Sequence, residues 1–320
     1  MFLGTSGSAP TARRAPAATL IRRGGDRLLI DCGEGTQRQL LRSDIGLVDL
    51  TEVYLTHFHA DHYLGLPGML KTFALRGREV ALTVYGPRGL RDLLGALRRV
   101  FARLPYPLEV VELEAGDALV RDGYRILPFA VEHGVAAVGY AIVEDERPGR
   151  FDADQADRLQ IPHGPERGAL QRGAAITLAD GTVVSPEELL GPARAGRKVV
   201  LTGDTGPAAS VVEAAAGAEL LVHDATFCAD ERERARETRH STAGEAALAA
   251  REAGVRMLAL THLSSRYFGP DVAEEAQHAF PHTVVPRDFD VITIPFVERG
   301  APELIPKGAR RGRIDVVSEP

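Results

Sequence analysis

The segment His57-Phe58-His59-Ala60-Asp61-His62 constrains this chain more than any other, because four metal-capable side chains follow directly on an apolar, β-branched run at 52–56. His57 and His59 stand two residues apart, so at an extended chain end both imidazoles point the same way, as two ligands of one metal must. Asp61 and His62 come where the chain can turn towards a helix, which directs a carboxylate and an imidazole at a second position. Imidazole with carboxylate suits zinc or another borderline divalent ion.

Three later residues extend the set: His133 after the run at 124–131, Asp204 after 198–202, and His262 after 257–261. Each lies just beyond an apolar strand pattern, where side chains from separate strands converge at a sheet edge, and Gly203 permits close backbone approach beside Asp204. Seven ligands are too many for one tetrahedral zinc. Two metals sharing a bridging carboxylate use them all, and Asp204 is our choice of bridge. The expectation is a binuclear zinc centre.

Strand patterns at 19–21 and 27–31 flank Gly24-Gly25-Asp26, a hairpin spacing, and further strand-like runs fall at 82–85, 108–113, 138–143, 219–223 and 291–295. Helical patterns occupy 35–43, 87–104, 207–214, 243–253 and 270–279, several opened by Pro or a Ser/Thr cap. Strands dominate the first half and strand–helix alternation grows in the second, which suits stacked sheets with helices outside them. No linker divides the chain, so residues 1–320 read as one domain. The exception is 144–196, rich in Pro, Gly and charge, with Asp180-Gly181 as a hairpin signal. It reads as a protruding insertion with short elements of its own.

Hydrophobic residues at 44% and charged residues at 26% are ordinary globular values, and a net charge of −6 gives no hint of a nucleic-acid partner. Basic pairs at Arg13-Arg14, Arg22-Arg23 and Arg98-Arg99, and the basic tract at 307–313, read as solvated faces. Cys32 and Cys228 are too few and too far apart for a disulfide framework or a CxxC site; two reduced thiols fit a cytoplasmic protein. No run approaches the ~18 apolar residues of a membrane span, and the start at Met1 carries no leader pattern, so a soluble, unexported chain is expected.

The order His-x-His-x-Asp-His, then His, Asp and His, resembles the metallo-β-lactamase superfamily, and within it the ribonuclease Z-like proteins. Phe2-Leu3-Gly4-Thr5, Asp31-Cys32-Gly33-Glu34-Gly35-Thr36-Gln37, Gly203-Asp204-Thr205 and His223-Asp224-Ala225-Thr226-Phe227 support the likeness. His240-Ser241-Thr242 and Thr261-His262-Leu263-Ser264-Ser265-Arg266-Tyr267 support it more specifically. Together these segments cover nearly the whole chain. The resemblance implies an α/β protein, an αβ/βα four-layer sandwich of two mixed β-sheets, with the active site along one edge. It implies one zinc on His57, His59 and His133, a second on Asp61, His62 and His262, and Asp204 between them. It also implies a flexible arm, here at 147–198 with Gly164-Pro165 matching the arm's Gly-Pro motif, that grips the tRNA elbow, commonly across a homodimer. The family's loop after the first strand, Pro-x-Lys-x-Arg-Asn, helps to sense the tRNA 3′ end. In this chain Pro10 and Arg14 are kept and the Lys and Asn are not.

The expected reaction is removal of the 3′ trailer from precursor tRNA, leaving a 3′-hydroxyl. Asp61 would orient the attacking water and accept its proton, and His240 would give a proton to the departing 3′-oxygen. Backbone donors near Ser264-Ser265-Arg266, with the Arg266 side chain, would hold phosphate. The alternative is a small-molecule phosphodiesterase or esterase of the same fold, which has no use for a distant elbow clamp. A third reading, a catalytically silent metal-stabilised RNA-binding protein, is disfavoured because Asp61 and His240 are both present.

Overall fold

The computed structural model describes residues 1–47 and 49–309, so residues 310–313 of the basic tract lie outside the described residues. The chain opens with β1 (Phe2–Gly4), β2 (Ala18–Arg23) and β3 (Asp26–Ile30), then α1 (Thr36–Arg42), β4 (Glu52–Tyr54), α2 (Ala60–Tyr63) and α3 (Gly65–Leu75). β5 (Leu82–Pro87), α4 (Leu90–Phe101) and β6 (Leu108–Leu113) follow. β1 to β6 form one sheet in sequence order, antiparallel from β1 to β3 and parallel from β3 to β6. The hairpin implied by Gly24-Gly25-Asp26 is present, and its loop is shorter than that tripeptide: Arg23 pairs with Asp26, which leaves Gly24-Gly25 as a two-residue loop.

Next come β7 (Leu119–Arg121), β8 (Tyr124–Ala130) and β9 (Val138–Glu144), then α5 (Ala153–Arg158), α6 (Pro165–Gln171), β10 (Ile176–Thr177) and β11 (Val183–Val184). β12 (Lys198–Leu201), α7 (Ala209–Ala215), β13 (Leu220–Asp224), α8 (Arg232–Thr238), α9 (Ala243–Ala253), β14 (Leu258–Thr261), α10 (Gly269–Ala279) and β15 (Thr283–Val284) complete the second half, with β16 (Val291–Thr293) and β17 (Glu303–Ile305) paired at its end. The second sheet has the order β15-β14-β13-β12-β9-β8-β7, and β12 to β15 run parallel. The sheets meet through β4 and β9: Tyr140 donates its hydroxyl to the Leu55 carbonyl at 2.7 Å, and its ring meets Tyr54 edge-on at 5.5 Å. Helices α1, α3 and α4 cover the first sheet, and α7, α9 and α10 cover the second. This is the αβ/βα order that the resemblance implied.

The helix α9 matches its sequence pattern residue for residue because its ends are specified locally. Thr242 accepts from the Glu245 N–H, Glu245 accepts in return from the Thr242 N–H, and Gly254 closes the helix. Its alanines at 243, 246, 247, 250 and 253 form the buried face. In contrast, α3 gives no clear signal in the sequence. Gly65, Pro67 and Gly68 crowd its first turn, where proline is tolerated, and its helical character comes from packing Leu66, Met69, Leu70 and Phe73 into the core.

The chain divides into two compact units: Met1–Leu119 with Ile126–Ile142 and Lys198–Pro320, and Val120–Arg125 with Val143–Arg197. The second unit has its own small core of Ala156, Ile161, Leu170, Val184 and Leu189. Asp152 caps α5 by accepting from the Gln155 N–H at 2.8 Å. The buried Arg167 guanidinium donates twice to the Ile161 carbonyl, at 3.0 and 2.7 Å, and pairs with Asp157. β10 and β11 pair antiparallel about Asp180-Gly181, as the turn signal required.

Candidate metal centre

The first unit brings the seven candidate ligands together at strand ends. His57 follows β4, His59 caps α2, and Asp61 and His62 lie within that short helix. His133 follows β8, Asp204 follows β12, and His262 follows β14. Gly203, at φ +63°, lies so close to Thr56 that a Cβ there would come within 2.7 Å of it, so glycine is what lets Asp204 reach the histidines from the opposite sheet.

Ligand atoms of His57, His59, His133 and Asp204 form one group able to hold a metal ion, and those of Asp61, His62 and His262 form another. His133 Nε2 faces His59 Nδ1 at 3.1 Å, and His62 Nε2 faces His262 Nε2 at 3.3 Å. Asp61 Oδ2 lies 3.1 Å from His262 Nε2 and accepts from the Ser8 N–H at 2.7 Å. Asp204 turns one oxygen to each group: Oδ2 lies 3.5 Å from His57 Nε2, while Oδ1 lies 3.3 Å from His62 Nε2 and 3.4 Å from His262 Nε2.

Whether this donor set fits a metal is tested by its orphaned atoms. His57 Nε2 and Asp204 Oδ1 are buried with no hydrogen-bond partner among the described residues. Such atoms cost about 1–3 kcal/mol each unless something replaces the lost water, and a cation between the imidazoles and the carboxylate does so. The charges agree. Burial opposes ionisation of Asp204, yet His262, His62 and His57 hold it well below the usual carboxylate range. Burial and the neighbouring His62 push His57 well below its ordinary value, which leaves a neutral imidazole, the form that binds metal. The residues present fit a metal.

The remaining ring nitrogens are held by fixed partners. His62 Nδ1 donates to Asp31 at 2.8 Å, and Asp31 also accepts from the Thr56 N–H at 2.8 Å. His262 Nδ1 meets the Thr226 hydroxyl at 2.7 Å, and that hydroxyl donates to Asp224 at 2.6 Å. His133 Nδ1 donates to the Arg239 carbonyl at 3.2 Å, and His57 Nδ1 meets the Thr56 hydroxyl at 3.1 Å. Such partners fix the tautomer and aim the other nitrogen at the metal. Backbone strain is found here too: of the seven non-glycine residues with positive φ among the described residues, four, Ser8, Asp31, Arg239 and His262, touch the centre.

His240 belongs to a third group with Asp204 and His262, but its nitrogen nearest Asp204, Nδ1 at 4.0 Å, already bonds Asp224 at 2.8 Å. Burial works against a charge on His240, and Asp224 outweighs it, raising the group to about 9. A protonated imidazole beside the ligand clusters can give up a proton.

The sequence pattern did not single out Asp31, Asp224, Thr56 or Thr226 as functional. Asp31 and Asp224 carry the signal that identified Asp204, an acid at the end of an apolar strand, and could have been found by it. The residues expected to hold substrate are spread out. Ser264 is half-buried, with its N–H on the Thr226 carbonyl at 3.3 Å. Ser265 and Arg266 are exposed, and Arg266 reaches Ser264 at 3.3 Å and Glu231 at 3.7 Å. The half-buried Arg14 donates to the Thr5 hydroxyl at 2.6 Å and the Pro286 carbonyl at 2.7 Å. Gly164 and Pro165 open α6 in the second unit.

The family model of the metallo-β-lactamase superfamily matches residues 12–148. A ribonuclease Z of Myxococcus xanthus is 50% identical over 267 residues, 83% of this chain and 87% of that one. A ribonuclease Z of Methanosarcina acetivorans is 42% identical over 298 residues, 92% of this chain and 97% of that one. In structure, the short form of human tRNase Z superposes with a TM-score of 0.67 at 25% identity, covering 92% of this chain and 99% of that one. No helix among the described residues is long and apolar enough to cross a membrane.

Proposed function

This chain belongs to the ribonuclease Z family of the metallo-β-lactamase superfamily, and on that premise we propose that it is a metal-dependent endoribonuclease that cuts the 3′ trailer from precursor tRNA. The observation that carries the chemistry is Asp204, whose two oxygens face two separate ligand groups. His57, His59 and His133 would hold one zinc ion and Asp61, His62 and His262 a second, with Asp204 facing both groups. Such a pair supplies a nucleophile near neutral pH and neutralises the scissile phosphate oxygens.

The chain's own residues do the rest. Asp61, oriented by the Ser8 N–H, positions the attacking water and takes its proton. His240 gives its proton to the 3′-oxygen as the P–O3′ bond breaks, so the tRNA keeps a 3′-hydroxyl and the trailer keeps the phosphate. Asp224 holds His240 in the donating orientation and stabilises its charge. Ser264 lies beside Thr226, and with Ser265 and Arg266 just after it in the chain it supplies phosphate donors, while Arg14 ties its loop to Thr5.

The second unit, with Gly164 and Pro165 at the head of α6, acts as the arm that grips the tRNA. By the same family likeness the enzyme works as a homodimer in the cytoplasm. The free, buried thiols Cys32 and Cys228 suit a reducing compartment, and light scattering reads the oligomeric state.

Deleting the arm between residues 147 and 196 tests the reading. Pre-tRNA processing should collapse while the deleted protein keeps its metals and still hydrolyses bis(p-nitrophenyl) phosphate, because remote binding energy is lost and the centre is not. Parental processing of pre-tRNA by the deletion would favour a small-molecule hydrolase.

A further inference from the structure

Next to the metal centre, on the side of His240, lies an open cleft of about 640 Å³ whose walls include Glu132, Pro207, Ser210, Arg236, Arg239 and His240. That volume is in the range of small-molecule sites. None of the seven expected ligands lines it, and His240 is where it borders the centre. Arg236 is exposed, and its guanidinium has no hydrogen bond or ion pair among the described residues. Arg239 donates to the His133 carbonyl at 3.0 Å, which fixes its position at the mouth of the cleft. Glu132, also exposed, offers a carboxylate with no partner among the described residues.

Two arginines among the residues lining one cleft suit a phosphate, since the planar guanidinium fork matches phosphate oxygens. A lone carboxylate does not suit a phosphate; it suits a ribose hydroxyl or the N–H of a base. An object with an anionic end and hydroxyl or N–H donors at the other is a nucleotide. His240 borders both the cleft and the centre, so whatever fills the cleft lies beside its imidazole and next to the ligand groups. We propose that this cleft is a nucleotide subsite for the residue carrying the departing 3′-oxygen, with Arg236 and Arg239 at its 5′-phosphate and Glu132 at its ribose or base. The choice of that nucleotide rests on the endoribonuclease reading; the subsite itself rests on the cleft.

Arg239 also holds His133, so Arg236 carries the test. Calorimetric titration of the metal-loaded protein with adenosine 5′-monophosphate reads the subsite without turnover. Arg236→Ala should weaken binding roughly tenfold, the scale of a charge-assisted hydrogen bond, and Arg236→Lys should recover part of it. Glu132→Gln should also weaken binding, while the affinity for inorganic phosphate, which lacks the ribose and base, should not change with Glu132. With pre-tRNA, Arg236→Ala should raise KM more than it lowers kcat and reduce the salt slope of affinity by about 0.7 to 1. Equal affinity of parent and Arg236→Ala for the nucleotide would overturn the subsite, as would nucleotide binding no tighter than inorganic phosphate. A parent that binds the nucleotide through Arg236 yet leaves pre-tRNA uncut would overturn the endoribonuclease reading and leave the subsite standing.

Discussion

The metal centre and the arm are built on opposite plans. The candidate ligands of the centre sit at strand ends or on the short helix α2, and four of its imidazoles have a second partner that sets the ring: Asp31, Thr226, Thr56 and the Arg239 carbonyl. The arm rests on five small or aliphatic core residues, two short helices and a pair of two-residue strands. Chemistry needs side chains held to a fraction of an ångström, so the centre accepts strained backbone and buried charge. The second unit has a small core of its own, of the kind that opens locally at little cost in stability.

The comparison breaks first if the centre does not depend on its shared carboxylate. Asp204→Ala removes the oxygens facing both groups, and cleavage should fall to background with metal content well below that of the parent by elemental analysis. Two metals and residual activity in this variant would make Asp204 a bystander.

His240 comes next because it acts on the leaving group and not on the metals. His240→Ala should keep both metals and lose about 10²- to 10⁴-fold in kcat on pre-tRNA. Loss of metal would instead place His240 among the ligands, as its nearness to Asp204 and His262 allows.

A smaller effect tests the outer partners. Asp31→Asn keeps the shape but takes the charge from the acceptor that holds His62 and Thr56. Metal affinity should fall roughly 10- to 100-fold, read by competition with a chelator, while the folded structure persists. Unchanged affinity would mean that packing alone aims His62.

How legible each region was in the sequence follows from the same contrast. The ligand set was visible because metal chemistry needs particular residues at particular strand ends, and β-branched runs mark those ends well. α9 was visible because its capping box and terminal glycine are local signals. Asp31 and Asp224 carry the same mark as Asp204, an acid at the end of an apolar strand, but their part, holding a histidine ring, shows only once the fold brings them to His62 and His240. α3 was hidden by Gly65, Pro67 and Gly68, whose unfavourable propensity is overridden by burial. In the arm only the Asp180-Gly181 turn was readable. α5 and α6 are too short to show a period, and their stability comes from contacts such as Arg167 with the Ile161 carbonyl that no spacing announces.

The mildest prediction separates the two regions directly. Gly164 sits at φ +122°, ψ −134°, a conformation open essentially to glycine alone, at the head of α6. A Cβ there meets nothing within 4 Å, so the cost of Gly164→Ala is conformational and not steric. It should destabilise the arm by about 1–3 kcal/mol. Hydrogen exchange should quicken at the amides of α6 and the β10–β11 hairpin, while those of β13, which carries Asp224, keep their parental protection. Pro165→Ala, at a position whose N–H has no helical partner anyway, should change exchange far less. Faster exchange in β13 to the same degree as in α6 would show that the arm and the metal centre open as one cooperative unit, and the contrast between a fixed centre and a separately stabilised arm would fail.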